Sequence, residues 1–347
     1  MSREMQESAQ SITVVIPTYN RKASLKVTLD GLARQKYSLQ DVEVIVVSDG
    51  STDGTDAFLE EYAGGAPYTL RVITQANQGP AQARNAGVWA AKGEIIVFID
   101  DDVEPVDDFL ASHMAHHKSD DKIVVIGPMS PDPARRGVEP AWIAWEHAML
   151  QKQYFNLTTG VWKQAWANHF YTGNASLRRE HIVAVGGFDV EFKRQEDVEL
   201  AHRMRRTQGV NFVFDPKADV IHRPHRSFAS WLNVATSYGQ CDVIRAREGR
   251  VSWIVVKNSY TNRNRTTRMM ARLMMNAPFL AAPIRALLVA VAVGLYRAGV
   301  TKVAMAMLSM VYNVRYLESA RTEMGAEQMS RLLFGPGDLP VAPVVKG

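Results

Sequence analysis

Short runs of apolar residues alternate with amphipathic stretches through the first half of the chain. Ile12–Ile16, Val42–Val47, Thr69–Thr74 and Ile95–Ile99 read as strands, each run too short for a helix and rich in β-branched side chains. Between them, Leu25, Leu29 and Leu32 recur at helical spacing, Phe58, Leu59 and Tyr62 mark a second helix, and Ala81–Ala91 a third. Strands alternating with helices at this spacing predict βαβ units and a mostly parallel sheet. Lys122–Ile126 and Asn211–Phe214 extend the strand set, and helices are expected over Glu196–Thr207 and Phe228–Val243. The segment from Pro128 to Lys163, rich in Pro and Trp, carries no clear period beyond a helix around Trp142–Leu150.

The pattern changes in the last third. Uncharged runs at Ala286–Tyr296 and Val303–Val314 are separated by Arg297 and Lys302, and each is shorter than the roughly 20 residues of a spanning helix. Two readings fit them: amphipathic helices lying in a membrane interface, or core-facing helices of a small helical subdomain. From Cys241 to Tyr316 twelve Lys or Arg face two acids, a surplus of ten in a chain whose net charge is +4. A basic segment joined to an acidic body points to an anionic surface. The Met, Leu and Ala residues between the charges favour lipid over nucleic acid. Arg263, Arg265, Arg268 and Arg272 lie just before the apolar runs. A single cysteine, Cys241, excludes a disulfide within the 347 residues, and the polar start MSREMQESAQ lacks a signal-peptide apolar segment. Both favour the cytoplasm, with peripheral attachment to the cytoplasmic face of a membrane.

The strongest chemical signal is Asp100-Asp101-Asp102 at the end of Ile95–Ile99. Ligands bind at the carboxyl edge of such sheets, and three crowded carboxylates favour a bound cation. Oxygen ligation suits Mg2+ or Mn2+. Turn and cap roles are the alternative, as for Asp107 and Asp108 before the next helix.

Seven ordered motifs widen this signal: VVIPTYNR, VVSDGSTDGT, NQGPAQARNAG, GEIIVFIDDDVEP, TGNASLRRE, GGFDVEFKRQEDVEL and VIHRPHRS, between Val14 and Ser227. Together they resemble the family 2 glycosyltransferases with the GT-A fold, a Rossmann-like α/β domain. The resemblance implies an inverting, metal-dependent transfer from a nucleotide-sugar, most simply a UDP-sugar, to a hydroxyl of a glycan or lipid-linked acceptor. Pro17, Thr18 and Tyr19 would line the base pocket, and Asp49 would accept from the base, with a helix N-cap as its alternative role. Arg84 would contact the nucleotide. Asp100 and Asp102 match the ends of an Asp-x-Asp motif, with Asp100 toward the ribose, Asp101 in the variable position and Asp102 on Mn2+ or Mg2+. His222 would approach the metal or diphosphate. Asp197 would be the general base, kept ionised by the helix dipole, with Glu196 beside it and Gly173-Asn174 lining the sugar pocket.

The expected organisation is a flexible start over 1–10, a GT-A domain over 11–245, a basic and apolar helical extension over 246–320 and a disordered tail over 321–347. A catalytically silent nucleotide-sugar-binding or membrane-scaffolding protein of the same fold is the competing reading. Intact Asp102 and Asp197 speak against it. A processive polysaccharide synthase is disfavoured because no Gln-x-x-Arg-Trp follows the Glu-Asp pair.

Overall fold

A computed structural model describes residues 11–192 and 194–335. The strands are β1 (Ile12–Thr18), β2 (Val42–Asp49), β3 (Thr69–Gln75), β4 (Ile95–Ile99), β5 (Val103–Pro105), β6 (Ile123–Ile126), β7 (Met129–Pro131), β8 (Asn174–Arg178), β9 (Asn211–Phe214) and β10 (Val220–His222). Seven of them form one sheet in the order β3-β2-β1-β4-β8-β6-β9, and three form a second sheet in the order β5-β10-β7. The large sheet is parallel except at β8, which runs antiparallel to both β4 and β6. The chain turns outward in opposite directions from β1, to β2 on one side and β4 on the other. Ligand clefts of open α/β sheets form at such a switch of strand order.

The apolar strands are buried on both faces, which is why they read as continuous runs rather than alternating ones. Val14, Ile16, Val44, Val46, Ile95, Val97 and Ile99 pack on one side with Leu25, Leu29, Leu32, Leu59, Phe109 and Met114. Val15, Ile45, Val47, Ile96 and Phe98 face the other, against Ala83, Val88, Leu200 and Met204. The helices supplying these faces, Lys22–Ala33, Pro80–Ala90 and Glu196–Gln208, start close to the expected positions. Strand β8 is one element that periodicity did not disclose: Asn-Ala-Ser-Leu-Arg has the polar and apolar mixture of a loop.

By its own contacts the described chain divides into two units, one of residues 11–134 and 149–225, the other of 135–148 and 226–335. The sequence reading places a boundary at 245. The helix Phe228–Arg247 belongs to the second unit because Ala235 and Val243 are buried there with Val314, Leu317 and Ala320. The second unit also buries Trp145, Trp231, Leu308 and Val311 in a cluster where the two indole rings meet edge to face, with centroids 5.3 Å apart. The tail expected to be disordered from 321 is helical through Phe334, since Met329, Leu332 and Leu333 bury one face of the helix Ala326–Phe334. The expected flexible start, 1–10, and the end of the tail, 336–347, lie outside the described residues.

The late apolar runs are parts of longer helices, Pro278–Arg297 and Thr301–Met324. The first is, among the described residues, the one helix long and apolar enough to cross a membrane by length and composition. Its extent was hidden by Arg285, whose charge interrupts the run and is paired with Glu318 at 2.7 Å.

Candidate active site

The acid triplet sits where β4 ends, beside the end of β1. Thr18 donates its hydroxyl to Asp101 Oδ2 at 2.7 Å, and Arg21 Nη1 reaches Asp101 Oδ1 at 3.0 Å and Asp102 Oδ2 at 2.7 Å. A buried threonine and a guanidinium from one edge thus hold two acids from the other. Arg21 was not among the expected site residues. Its signal was the last letter of VVIPTYNR, a cation within reach of a run of three acids.

The short strand β5 follows the triplet directly and pairs antiparallel with β10, with His222 opposite Val103. That register brings His222 Nε2 to 3.7 Å from Asp102 Oδ1, while Arg223 N donates to the Asp102 carbonyl at 2.9 Å. Arg223 is itself clamped by Glu104 at 2.6 Å and Asp132 at 2.7 Å. Burial and the neighbouring charges of Asp100 and Asp101 push the Asp102 carboxyl up to about 7, with Arg21 opposing them. Asp101 is also raised, chiefly by burial.

For a divalent cation the donor types fit: Asp100 and Asp102 offer hard oxygens, and His222 stands beside Asp102. The high Asp102 pKa marks negative charge that Arg21 only partly offsets. Among the described residues, however, no three acidic, His or Cys side chains already converge as a cation site, because Arg21 lies between the carboxylates.

On the other side of the triplet, Arg84 joins two distant parts of the chain. Its Nη2 binds Asp100 Oδ1 at 2.9 Å and its Nη1 binds Glu196 Oε1 at 3.1 Å. The side chain, expected to contact a nucleotide, is buried and paired with two carboxylates. Glu196, expected beside the general base, is one of that pair. Asp197 accepts from Val198 N at 2.7 Å. Its carboxyl is pushed up to about 7 by burial and then by Glu196, against the opposing pull of Arg84. Desolvation and a like charge thus outweigh the helix dipole expected to keep it ionised.

Gly173 stands against Asp100: a Cβ there would lie 2.7 Å from Met129 Sδ and 2.9 Å from Asp100 Oδ2. Asn174 is the first residue of β8, opposite Ile99, and its side chain is wholly buried, donating to the carbonyls of Pro128 at 2.6 Å and Ala218 at 2.8 Å. His113 Nε2 lies 2.9 Å from its Oδ1. That interior lattice continues through Ser176, 2.8 Å from both His113 and His117, and burial lowers these histidines to about 4 and about 3.

Asp49 is buried at the end of β2 and accepts from Gln75 Nε2 at 2.7 Å, Gln78 N at 2.9 Å and Gly79 N at 2.8 Å. It ties the loop before the helix Pro80–Ala90. The N-cap alternative does not arise, since Gly54 holds that place before the helix Thr55–Ala63. Of the expected base-pocket residues, Pro17 is half-buried in β1, Thr18 is turned to Asp101, and Tyr19 is the exposed ring.

Among the described residues two non-glycine positions have positive φ, Asn20 at 52° and Gln195 at 61°. Each lies at this site, one after Tyr19 and one before Glu196. Asn20 is held there by Ser51 Oγ, 3.1 Å from its backbone N, and by its own Oδ1 accepting Thr52 N at 2.7 Å.

A family model described as glycosyl transferase family 2 matches residues 13–186. The validoxylamine A glucosyltransferase of Streptomyces hygroscopicus subsp. jinggangensis is 31% identical over 259 residues, 67% of this chain and 59% of that protein. The pre-mycofactocin glycosyltransferase of Mycobacterium tuberculosis is 29% identical over 238 residues, 67% of this chain and 47% of its own length. The chain thus spans about half to three fifths of these curated relatives. Among solved structures, the mannosyltransferase PcManGT from Pyrobaculum calidifontis, in complex with GDP-Man and Mn2+, superposes with a TM-score of 0.53 at 24% identity, covering 69% of this chain and 65% of that one. This likeness concerns the fold.

Proposed function

The chain belongs to glycosyl transferase family 2, a family of glycosyltransferases, and on that premise we propose that it is an inverting enzyme. It moves a sugar from a UDP-sugar to a hydroxyl of a glycan or lipid-linked acceptor. The observation that carries this reading is the buried guanidinium of Arg84, which holds Asp100 of the donor edge and Glu196 of the acceptor helix together. Asp197, next to Glu196, has a pKa near the operating pH of a general base.

In the proposed reaction the acceptor oxygen attacks the anomeric carbon as its proton passes to the Asp197 carboxylate. The bond from that carbon to the diphosphate oxygen breaks on the opposite face, and the diphosphate leaves with the electron pair. Inversion follows. Tyr19 offers its exposed ring to the base, and Asp49 Oδ2, with one internal partner, keeps a lone pair for a base N–H. Arg21 is placed to trade its carboxylates for a phosphate as the donor enters. Asp102 and His222 would hold Mn2+ or Mg2+, which when bound neutralises charge developing on the leaving diphosphate.

The second unit carries the membrane part of the proposal. The helix Pro278–Arg297 shows Phe279, Leu287 and Val291 outward, and the basic residues before it suit an anionic membrane surface on the cytoplasmic side. The purified protein with Mn2+ and a panel of nucleotide-sugars, with lipid and glycan acceptors, should release nucleoside diphosphate from one donor preferentially. Silence across the whole panel would sink the enzyme reading.

A further inference from the structure

Within the helical unit, one pocket of about 450 Å³ is lined by Tyr260, Thr261, Arg265, Arg268, Arg272 and Phe334, among others. That volume suits a small polar ligand. The three arginines follow one another at i, i+3 and i+7 along the helix Arg265–Asn276, a spacing that stacks them on one face. Arg272 is braced by Tyr260, whose hydroxyl accepts from Nε at 2.8 Å, and by the Phe334 ring, 4.5 Å below its guanidinium. Arg265 and Arg268 have no ion-pair partner among the described residues, and no acid lines the pocket.

Several arginines elsewhere in this unit are neutralised by acids. Arg226 is paired with Glu146 at 2.6 Å, Arg247 with Glu323 at 3.2 Å, and Arg285 and Arg315 share Glu318. Three like charges gathered around a concavity repel one another, so the arrangement favours an anion that accepts from several guanidinium forks at once. A phosphate does so better than a carboxylate, having more acceptor oxygens to share.

The surroundings identify the carrier of that phosphate. Met269 and Leu273, on the same helix as the arginines, are 63% and 44% exposed. One residue beyond that helix begins Pro278–Arg297, whose open stripe of Phe279, Ala282, Ala286, Leu287, Ala290 and Val291 contains no polar side chain. Phe279 and Leu287 are 79% and 65% exposed. We propose that the Arg265–Arg268–Arg272 pocket binds the phosphate of an anionic lipid headgroup, with the neighbouring apolar stripe meeting the acyl chains. The proposal rests on the membrane reading given above and names the site through which it acts.

Flotation of the full-length protein with phosphatidylcholine vesicles, with and without phosphatidylglycerol, tests it. Wild type should float with the phosphatidylglycerol vesicles only. The double variant Arg265→Gln/Arg268→Gln should weaken binding roughly ten- to thirty-fold, and more than Arg297→Gln/Lys302→Gln, which removes the same charge elsewhere in the unit. Arg268→Lys, keeping the charge without the fork, should fall between wild type and the double variant. If the two double variants lose binding equally, the pocket is wrong while membrane binding stands. If wild type fails to float with either vesicle, the membrane reading falls as well. Binding of inorganic pyrophosphate by a protein that does not float, lost in the pocket variant, would overturn the lipid in favour of a soluble phosphate.

Discussion

Asp197 and Arg84 concentrate the residue-scale predictions. Asp197→Asn should lower transfer by about a hundred- to ten-thousand-fold, the range for a lost general base, with donor binding nearly unchanged in a titration. Because burial and Glu196 raise Asp197 to about 7, the carboxylate form grows as pH rises. The transfer rate should therefore climb through pH 7 and flatten above it. Arg84 opposes that rise, so Arg84→Met should move the midpoint of the rate profile upward. It should also cost stability, on the order of 3 kcal/mol, because two carboxylates lose a buried partner. A midpoint that stays in place in Arg84→Met would separate Arg84 from Asp197. Stability itself carries a pH signature. A carboxyl raised in the folded state binds its proton more tightly there than when unfolded, so Asp102 and Asp197 stabilise the fold below about pH 4 and that contribution drains as pH rises to about 7. His113 and His117, lowered by burial, act in the opposite sense below about pH 6.5. Melting temperature should therefore fall between pH 6.5 and 8, and fall less in Asp102→Asn. At this scale the sequence disclosed the acids, which stand in local runs. It did not disclose Arg84 as their bridge, since the partners lie 16 and 112 residues away from it.

At the scale of elements, period alone found the strands buried on both faces and the helices between them. It missed β8, because Asn174 and Ser176 are polar residues satisfied inside the protein rather than at a surface, and it missed the three-residue strands β5, β7 and β10, which are too short to show a period. The hydrogen-bond partners of Asn174 and Ser176 come from distant segments, and no window of sequence contains both halves. The helix Phe228–Arg247 was legible as a helix but not as a member of the second unit. Gly239 explains how closely it lies to Thr301–Met324: a Cβ there would stand 2.3 Å from the Tyr316 carbonyl oxygen and 3.0 Å from Ala320 N. Backbone cannot yield as a side-chain tip does. Gly239→Ala should destabilise the helical unit by about 1–3 kcal/mol, read as an early thermal transition with donor binding retained below it.

For the whole molecule, the charge asymmetry found in the sequence is sorted by the structure into paired and unpaired arginines. Leu287→Lys, on the exposed stripe, should release the protein from anionic vesicles despite the added positive charge, because apolar burial in the interface is lost. Tighter binding would mean that charge alone attaches the protein. The sequence by itself determined the α/β class, the order of the strands along the chain, the acids at the strand ends and the basic character of the last third. These are local properties, written in hydrophobic period and in residue type. Only the tertiary structure decided which strands are neighbours, that Arg21 and Arg84 hold the acids, that Asn174 turns inward, and that the helix Phe228–Arg247 packs with the later helices. Each of these depends on contacts between residues far apart in the chain, and on the desolvation that comes only when those contacts close.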